Sequence, residues 1–236
     1  MTWNDFLDWV GFHRQPTSWR EKFISTLGGF LGIYAIFLTS RWLLDPADAV
    51  LIIPSLGASA VLLFAAPHVP FSQPWNLVGG HLISAVVGVA CWNWIPDFEV
   101  AAAAAVGIAI GFMYFARCIH PPGGATALAA VIGSAKLHAL GWGYMLAPVL
   151  LNVATIFAVA VGFNAFFQWR RYPAALTRVS ATVPTEAGYA PIRHEDFVYA
   201  LSQLDTFVDV SEEDVLRIYE LATRRRVGSD APRTDR

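Results

Sequence analysis

The run Ile119-His120-Pro121-Pro122-Gly123-Gly124-Ala125-Thr126-Ala127 concentrates more chemistry than any other stretch of the chain. Proline at the first positions of a helix costs no hydrogen bond, because those amides have no intrahelical acceptor. Gly123 and Gly124 permit close approach, Thr126 adds a hydroxyl donor, and a helix N-terminus carries partial positive charge. A helix that begins at Pro121 is therefore a ready site for a small anion. The run Pro54-Ser55-Leu56-Gly57-Ala58-Ser59-Ala60 offers the same features with two hydroxyls, Ser55 and Ser59. Three further residues are candidates for a pathway or gate. His81 follows Gly79-Gly80 and either titrates in a pathway or only bonds a backbone carbonyl. Arg117, one turn before Pro121, either draws an anion to the mouth or anchors the chain at the interface. Asn152 lies deep in an apolar stretch, as interhelical glue or as a substrate contact.

The elements that must position these residues are apolar. Of 236 residues, 56% are hydrophobic and 14% charged, with a net charge of −2. From Ile24 to Gln168 there are seven charges: Arg41, Asp45, Asp48, Asp97, Glu99, Arg117 and Lys136. So few charges cannot cover a surface in water, so this region is dissolved in lipid. That excludes a secreted globular domain, a nucleic-acid binder and a cytosolic enzyme. No signal peptide is expected, since Asp5 and Asp8 stand where a basic segment would be. Cys91 and Cys118 lie in or beside apolar segments, in no metal-binding spacing, and read as packing residues.

Six apolar stretches run roughly over Phe23–Leu44, Val50–Ala66, Asn76–Ile95, Val100–Ala116, Pro122–His138 and Tyr144–Phe167. The second and fifth are short, glycine and proline interrupt their starts, and they are either broken spans or re-entrant half-helices. A shift of 67 residues lays Pro54–Ala60 on Pro121–Ala127, matching Pro, Gly and two Ala and pairing Ser59 with Thr126. Gly28-x-x-x-Gly32 has its counterpart in Gly107-x-x-x-Gly111. The expected fold is an all-α polytopic bundle of two inverted three-helix repeats, their second helices broken so that Pro54–Ser59 and Pro121–Thr126 meet near the midplane. Arg14, Arg20 and Lys22 before the first stretch, and Arg170, Arg171 and Arg178 after the last, place both termini in the cytoplasm. Residues 1–22 form an amphipathic N-terminal segment, 23–168 the transmembrane domain, 169–191 a linker, 192–226 a cytoplasmic helical hairpin and 227–236 a disordered tail. The Gly-x-x-x-Gly pairs and the apolar stripe of the hairpin point to a homodimer or small homo-oligomer.

The extended His-Pro-Pro-Gly-Gly-Ala-Thr-Ala motif resembles the HPP family of integral membrane proteins, named for the tripeptide His120-Pro121-Pro122, and the resemblance covers roughly Lys22 to Gln168. Some members in chloroplasts and cyanobacteria are linked to nitrite transport. Some bacterial members carry a C-terminal CBS regulatory domain; with only a short helical segment read after the spans, regulation of that kind is not expected here. The resemblance implies the transmembrane fold and makes nitrite the first candidate substrate. The residues point independently to a small inorganic anion moved through an inner or plasma membrane. The substrate would be held by Ser55, Gly57, Ser59, His120, Pro121, Pro122, Gly123, Gly124 and Thr126, without cofactor, metal or catalysis. Two rivals stand beside this reading. One is a scaffold or sensor signalling through the cytoplasmic helices. The other is a membrane-embedded enzyme using His81 and His120, against which the spans hold no paired carboxylates.

Overall fold

The computed structural model describes residues 2, 3, 6, 9, 10, 17–41 and 46–176. The expected hairpin 192–226, the tail 227–236, most of the linker and half of the amphipathic N-terminal segment lie outside the described residues. The helices below all belong to one compact unit, Trp19–Ser180.

Helices α1 (Trp19–Ser40), α2 (Pro46–Ala65), α3 (Pro74–Trp94), α4 (Phe98–Phe115), α5 (Pro121–Ile132), α6 (Ala135–Ala139) and α7 (Met145–Ala165) follow one another, with no strand among the described residues. α1, α3, α4 and α7 are long and apolar enough to cross a membrane. Their starts and stops follow from local chemistry. Pro74 and Pro121 open α3 and α5, where a missing amide costs nothing. Asp97 Oδ1 accepts the Val100 amide at 2.9 Å and caps α4. α4 ends in a Schellman turn: Arg117 adopts φ 55°, its amide reaches the Tyr114 carbonyl, and the Cys118 amide reaches that of Met113. α7 opens with a π-helical turn over Met145–Leu150 around Pro148, whose nitrogen cannot donate to the ladder.

Contacts between helix ends set the directions. Gly28 in α1 takes the ring of Phe64 near the end of α2, so the two run antiparallel. Ser40 at the end of α1 bonds Asn152 in the first half of α7. Trp75 Nε1 at the start of α3 donates to Ala116 at the end of α4. Gly80 and Gly88 of α3 meet His120 and Ala130 respectively, so α3 and α5 run parallel and close. α1 thus begins, and α4 ends, on one common face, which also holds the ends of α2 and α7 and the starts of α3 and α5. Outward residues are apolar: Phe23, Phe30 and Phe37 on α1, and Ile108, Phe112 and Phe115 on α4, are exposed. Such side chains suit a hydrocarbon solvent.

Three expectations are corrected. α2 is not broken at Pro54 but runs through it as a 20-residue helix, so its N-terminus lies well away from Ser59. The ring at Pro54 is exposed, and the helix tolerates the lost amide bond there. The fifth stretch splits: α5 stops at Gly133, and Ser134 caps α6, with its hydroxyl accepting the amides of Lys136 and Leu137. α1 also starts at Trp19, four residues before the expected boundary.

Candidate functional site

Four polar side chains from three helices meet inside the bundle: Ser59 of α2, His81 of α3, and His120 and Thr126 at the start of α5. All four are 0–2% exposed. Ser59 Oγ lies 2.9 Å from Nε2 of His81 and 2.9 Å from Nε2 of His120, and it donates to the Ser55 carbonyl at 3.2 Å. His81 Nδ1 is 2.7 Å from Thr126 Oγ1, and His120 Nδ1 is 2.8 Å from the Phe71 carbonyl. The two rings have centroids 4.9 Å apart. The two hydroxyls that coincide under the 67-residue shift, Ser59 and Thr126, thus hold the two nitrogens of one imidazole.

Close backbone approach makes this possible. A Cβ on Gly80 would lie 2.4 Å from the His120 Cβ, and one on Gly123 would lie 2.7 Å from Ser84 Oγ and 2.9 Å from the Gly80 carbonyl. Any larger residue at either position would push α3 and α5 apart. The connection ahead of His120 is tied to α3, where Asn76 Nδ2 donates to the Ile119 carbonyl at 2.8 Å. The loop that supplies the Phe71 carbonyl is held as firmly: Ser72 Oγ donates to the Ala66 carbonyl at 2.8 Å and lies 3.1 Å from that of Leu62, and Tyr172 donates to the Ser72 carbonyl at 2.6 Å. Tyr144 donates to the Thr126 carbonyl at 3.0 Å.

The cluster lies about 9 Å of helix from the end of α2 and about 10 Å from the start of α3. The common face of the bundle is therefore nearer to it than the opposite one. The start of α5 offers fewer donors than its sequence promises. Pro121 and Pro122 carry no N–H, and the Gly123 amide is spent on the His120 carbonyl at 2.8 Å.

The other expected site residues are distributed unevenly. Pro122 and Gly123 are buried against the cluster, while Pro121 is exposed. Gly124 faces Val106 of α4, at 3.6 Å from a notional Cβ. Gly57 has open space where a Cβ would be and lines an outer groove with Gly29 and Phe30. Asn152 belongs elsewhere, accepting from Ser40 at 3.1 Å, with its Nδ2 unpartnered among the described residues. Arg117 is a helix terminator on the outside of the bundle. Among the described residues no three His, Cys, Asp or Glu side chains gather to hold a metal.

Three features escaped the sequence reading. Ser84 points a buried, unpartnered hydroxyl at Gly123; its spacing of three from His81 was the available signal. Nothing in the sequence singles out Tyr144. Arg170, expected as a surface cation, is fully buried and paired with Glu21. It also bonds Asn164 at 3.2 Å, Ser25 at 3.0 Å and the Phe64 carbonyl at the end of α2. Burial draws its guanidinium below the ordinary arginine pKa, and the Glu21 carboxylate pushes the other way.

Comparisons with known proteins agree with this architecture. Residues 14–173, which contain every helix described above, match the family described as HPP, transmembrane region. One transmembrane protein of Dictyostelium discoideum is 39% identical over 174 residues, covering 71% of this chain and 56% of its own length. A second from the same organism is 40% identical over 152 residues, covering 62% and 53%. The chain spans about half the length of these curated relatives. No solved structure matches it. With the His-Pro-Pro run opening α5 inside the buried cluster and the match reaching across all seven helices, the chain belongs to the HPP family of transmembrane proteins.

Proposed function

We propose that this protein moves a small monovalent anion across the membrane along the seam between α2, α3 and α5, with nitrite the first substrate to test. The observation that carries the reading is the Ser59–His81–His120–Thr126 cluster, four buried polar side chains inside a lipid-embedded bundle. Buried polar groups in a membrane protein are costly, and they commonly mark the path of a solute. Imidazoles and hydroxyls can replace part of the water around a monovalent anion without holding it too tightly to leave. The arrangement described is closed, so passage requires α5 to shift against α2 and α3. In this reading the bundle is two inverted three-helix halves in an inner or plasma membrane. The face bearing Arg20, Lys22, Arg117 and Arg171 is cytoplasmic. The outward Gly107 and Gly111 are available for pairing with a second copy.

Purified protein in liposomes, offered nitrite, nitrate, formate and chloride, tests this directly. Saturable uptake of at least one anion is expected, lowered roughly ten- to a hundredfold by Ser59→Ala or Thr126→Val, since a hydrogen bond to a charged group contributes about 1.5–3 kcal/mol. Uptake of all four equal to that of protein-free vesicles would refute it.

One geometric feature favours a second reading. Ser59 Oγ lies 2.9 Å from an imidazole whose other nitrogen is anchored on a carbonyl, as in a serine nucleophile with its base. Against it, Ser59 is fully buried between two rings, with no open side for an acyl carbon. A fluorophosphonate probe is expected to leave Ser59 unlabelled; labelling there would favour hydrolysis.

A further inference from the structure

We propose that the Ser59-bridged pair His81–His120 binds one proton, and that this proton travels with the anion, so that transport is electroneutral proton–anion symport. The proposal rests on the anion-transport reading above and adds the coupling ion to it.

The hydrogens available to the cluster fix how many protons its contacts require. Ser59 Oγ has three partners, the Ser55 carbonyl and Nε2 of both histidines. A hydroxyl has one hydrogen and two lone pairs, and a carbonyl only accepts. Contact with Ser55 therefore takes the Ser59 hydrogen, and each imidazole must bring its own. His120 Nδ1 faces the Phe71 carbonyl, which also only accepts. To satisfy both contacts His120 must carry hydrogens on both nitrogens, as an imidazolium. His81 needs one hydrogen, on Nε2, because its Nδ1 can accept from the Thr126 hydroxyl. All five contacts are thus satisfied together by one extra proton.

Removing that proton costs a single contact. Ser59 turns its hydrogen from Ser55 to His120 Nε2. The donors then point one way, from Thr126 to His81, Ser59, His120 and finally the Phe71 carbonyl. A second extra proton would place two positive rings with centroids 4.9 Å apart in a low-dielectric interior. The site therefore alternates between two well-bonded states that differ by one proton.

The elements around the pair bring no compensating charge among the described residues. α2 contributes Ser55 and Ser59, α3 contributes Ser84, and α5 contributes Thr126. The titratable groups nearby are Tyr144, which bonds the Thr126 carbonyl, and Cys118, packed against Gly79 and Gly80. In the Phe71 loop, His68 bonds the Arg171 carbonyl. The Arg170–Glu21 pair is bound to Phe64, more than a turn beyond Ser59, and Arg117 faces outward. A lone positive charge in this place is expensive, and a monovalent anion beside it removes the expense. Proton and anion therefore favour each other's binding, and by linkage the effect is reciprocal.

The test uses the full chain in vesicles containing a pH-sensitive dye, with membrane potential set by potassium and valinomycin, for each anion moved above the protein-free background. Interior acidification is expected to match anion entry one for one. An inside-positive potential should change the rate less than about twofold, and an acid-outside gradient of one unit should give about tenfold accumulation. His120→Gln keeps a donor for the Phe71 carbonyl but cannot take up the proton, and is expected to lose the gradient-driven accumulation. Uptake driven by potential without acidification would overturn the proton site and leave the anion reading intact. A folded His120→Gln protein that still accumulates anion on the pH gradient would overturn it as well. Absence of uptake in the parent refutes anion transport, and the coupling with it. The stoichiometry of the parent decides the matter even if the variant does not fold.

Discussion

Each nitrogen of His81 meets a hydroxyl from a different helix, and His120 is held by one hydroxyl and one carbonyl. The hydroxyls therefore fix how the rings point and which nitrogens carry hydrogen. Thr126→Val keeps the shape of the side chain but leaves His81 Nδ1 buried without a donor. A loss of about 1–3 kcal/mol is expected, read as a lower thermal midpoint in detergent, with Thr126→Ser close to the parent. At Arg117 the backbone decides instead. Its φ of 55° suits glycine, and a β-branched residue fits there poorly. Arg117→Val should cost about 1–2 kcal/mol and Arg117→Gly nothing, while anion uptake by both variants stays at the parent level. A fall in uptake by the well-folded glycine variant would restore Arg117 to the pathway.

Glycine has opposite meanings in different helices. In α3, Gly80 and Gly88 face α5 where a Cβ would collide with His120 or with the Ala127 carbonyl, so they set the spacing of the two helices. In α4, Gly107 has nothing within 4 Å of a notional Cβ. Gly80→Ala should therefore lower the thermal midpoint by the equivalent of about 1–3 kcal/mol. Gly107→Ala should leave the midpoint unchanged or raise it by up to about 1 kcal/mol, as a helix interior gains from alanine. Equal effects would show that the α3–α5 seam is not close-packed. The Gly28-x-x-x-Gly32 pair likewise turns inward, filled by the ring of Phe64, and is used within one chain.

At the scale of the bundle, the Arg170–Glu21 pair clasps the start of α1, the end of α2 and the end of α7. Removing one partner of a buried pair strands the other, at a cost of about 3–5 kcal/mol. Arg170→Met should therefore destabilise the whole protein more than any single change in the cluster, read by thermal unfolding in detergent. Because the clasp joins the first span to the last, the start of α1 and the end of α7 lie on one face, with Arg117 and Arg171. Asp97 and Lys136 lie on the other. Single cysteines at 117 and 171 are expected to react with an impermeant thiol reagent from one side of the membrane. Cysteines at 97 and 136 should react from the other. Labelling of 117 with 136 would break the alternation of helices.

The sequence by itself determined the solvent and the choice of residues. Seven charges in 145 residues leave no alternative to lipid, and apolar length with proline and glycine punctuation marks the helices, because these are local properties of the chain. It also brought out Ser59, His120 and Thr126 through the repeated run, and His81 as a polar residue in an apolar span. What it did not determine is how they are joined. Pro54 and Pro121 look alike in sequence, yet α2 continues through the first and α5 begins at the second. The neighbours of a helix, more than the proline, decide whether the ladder is kept. Gly57 and Asn152 shared the chemistry of the site but face elsewhere, because direction around a helix matters only once its partners are in place. Arg170 is buried because Glu21, 149 residues away in the chain, comes to meet it. Such pairings depend on helix packing, and only the tertiary structure supplies it.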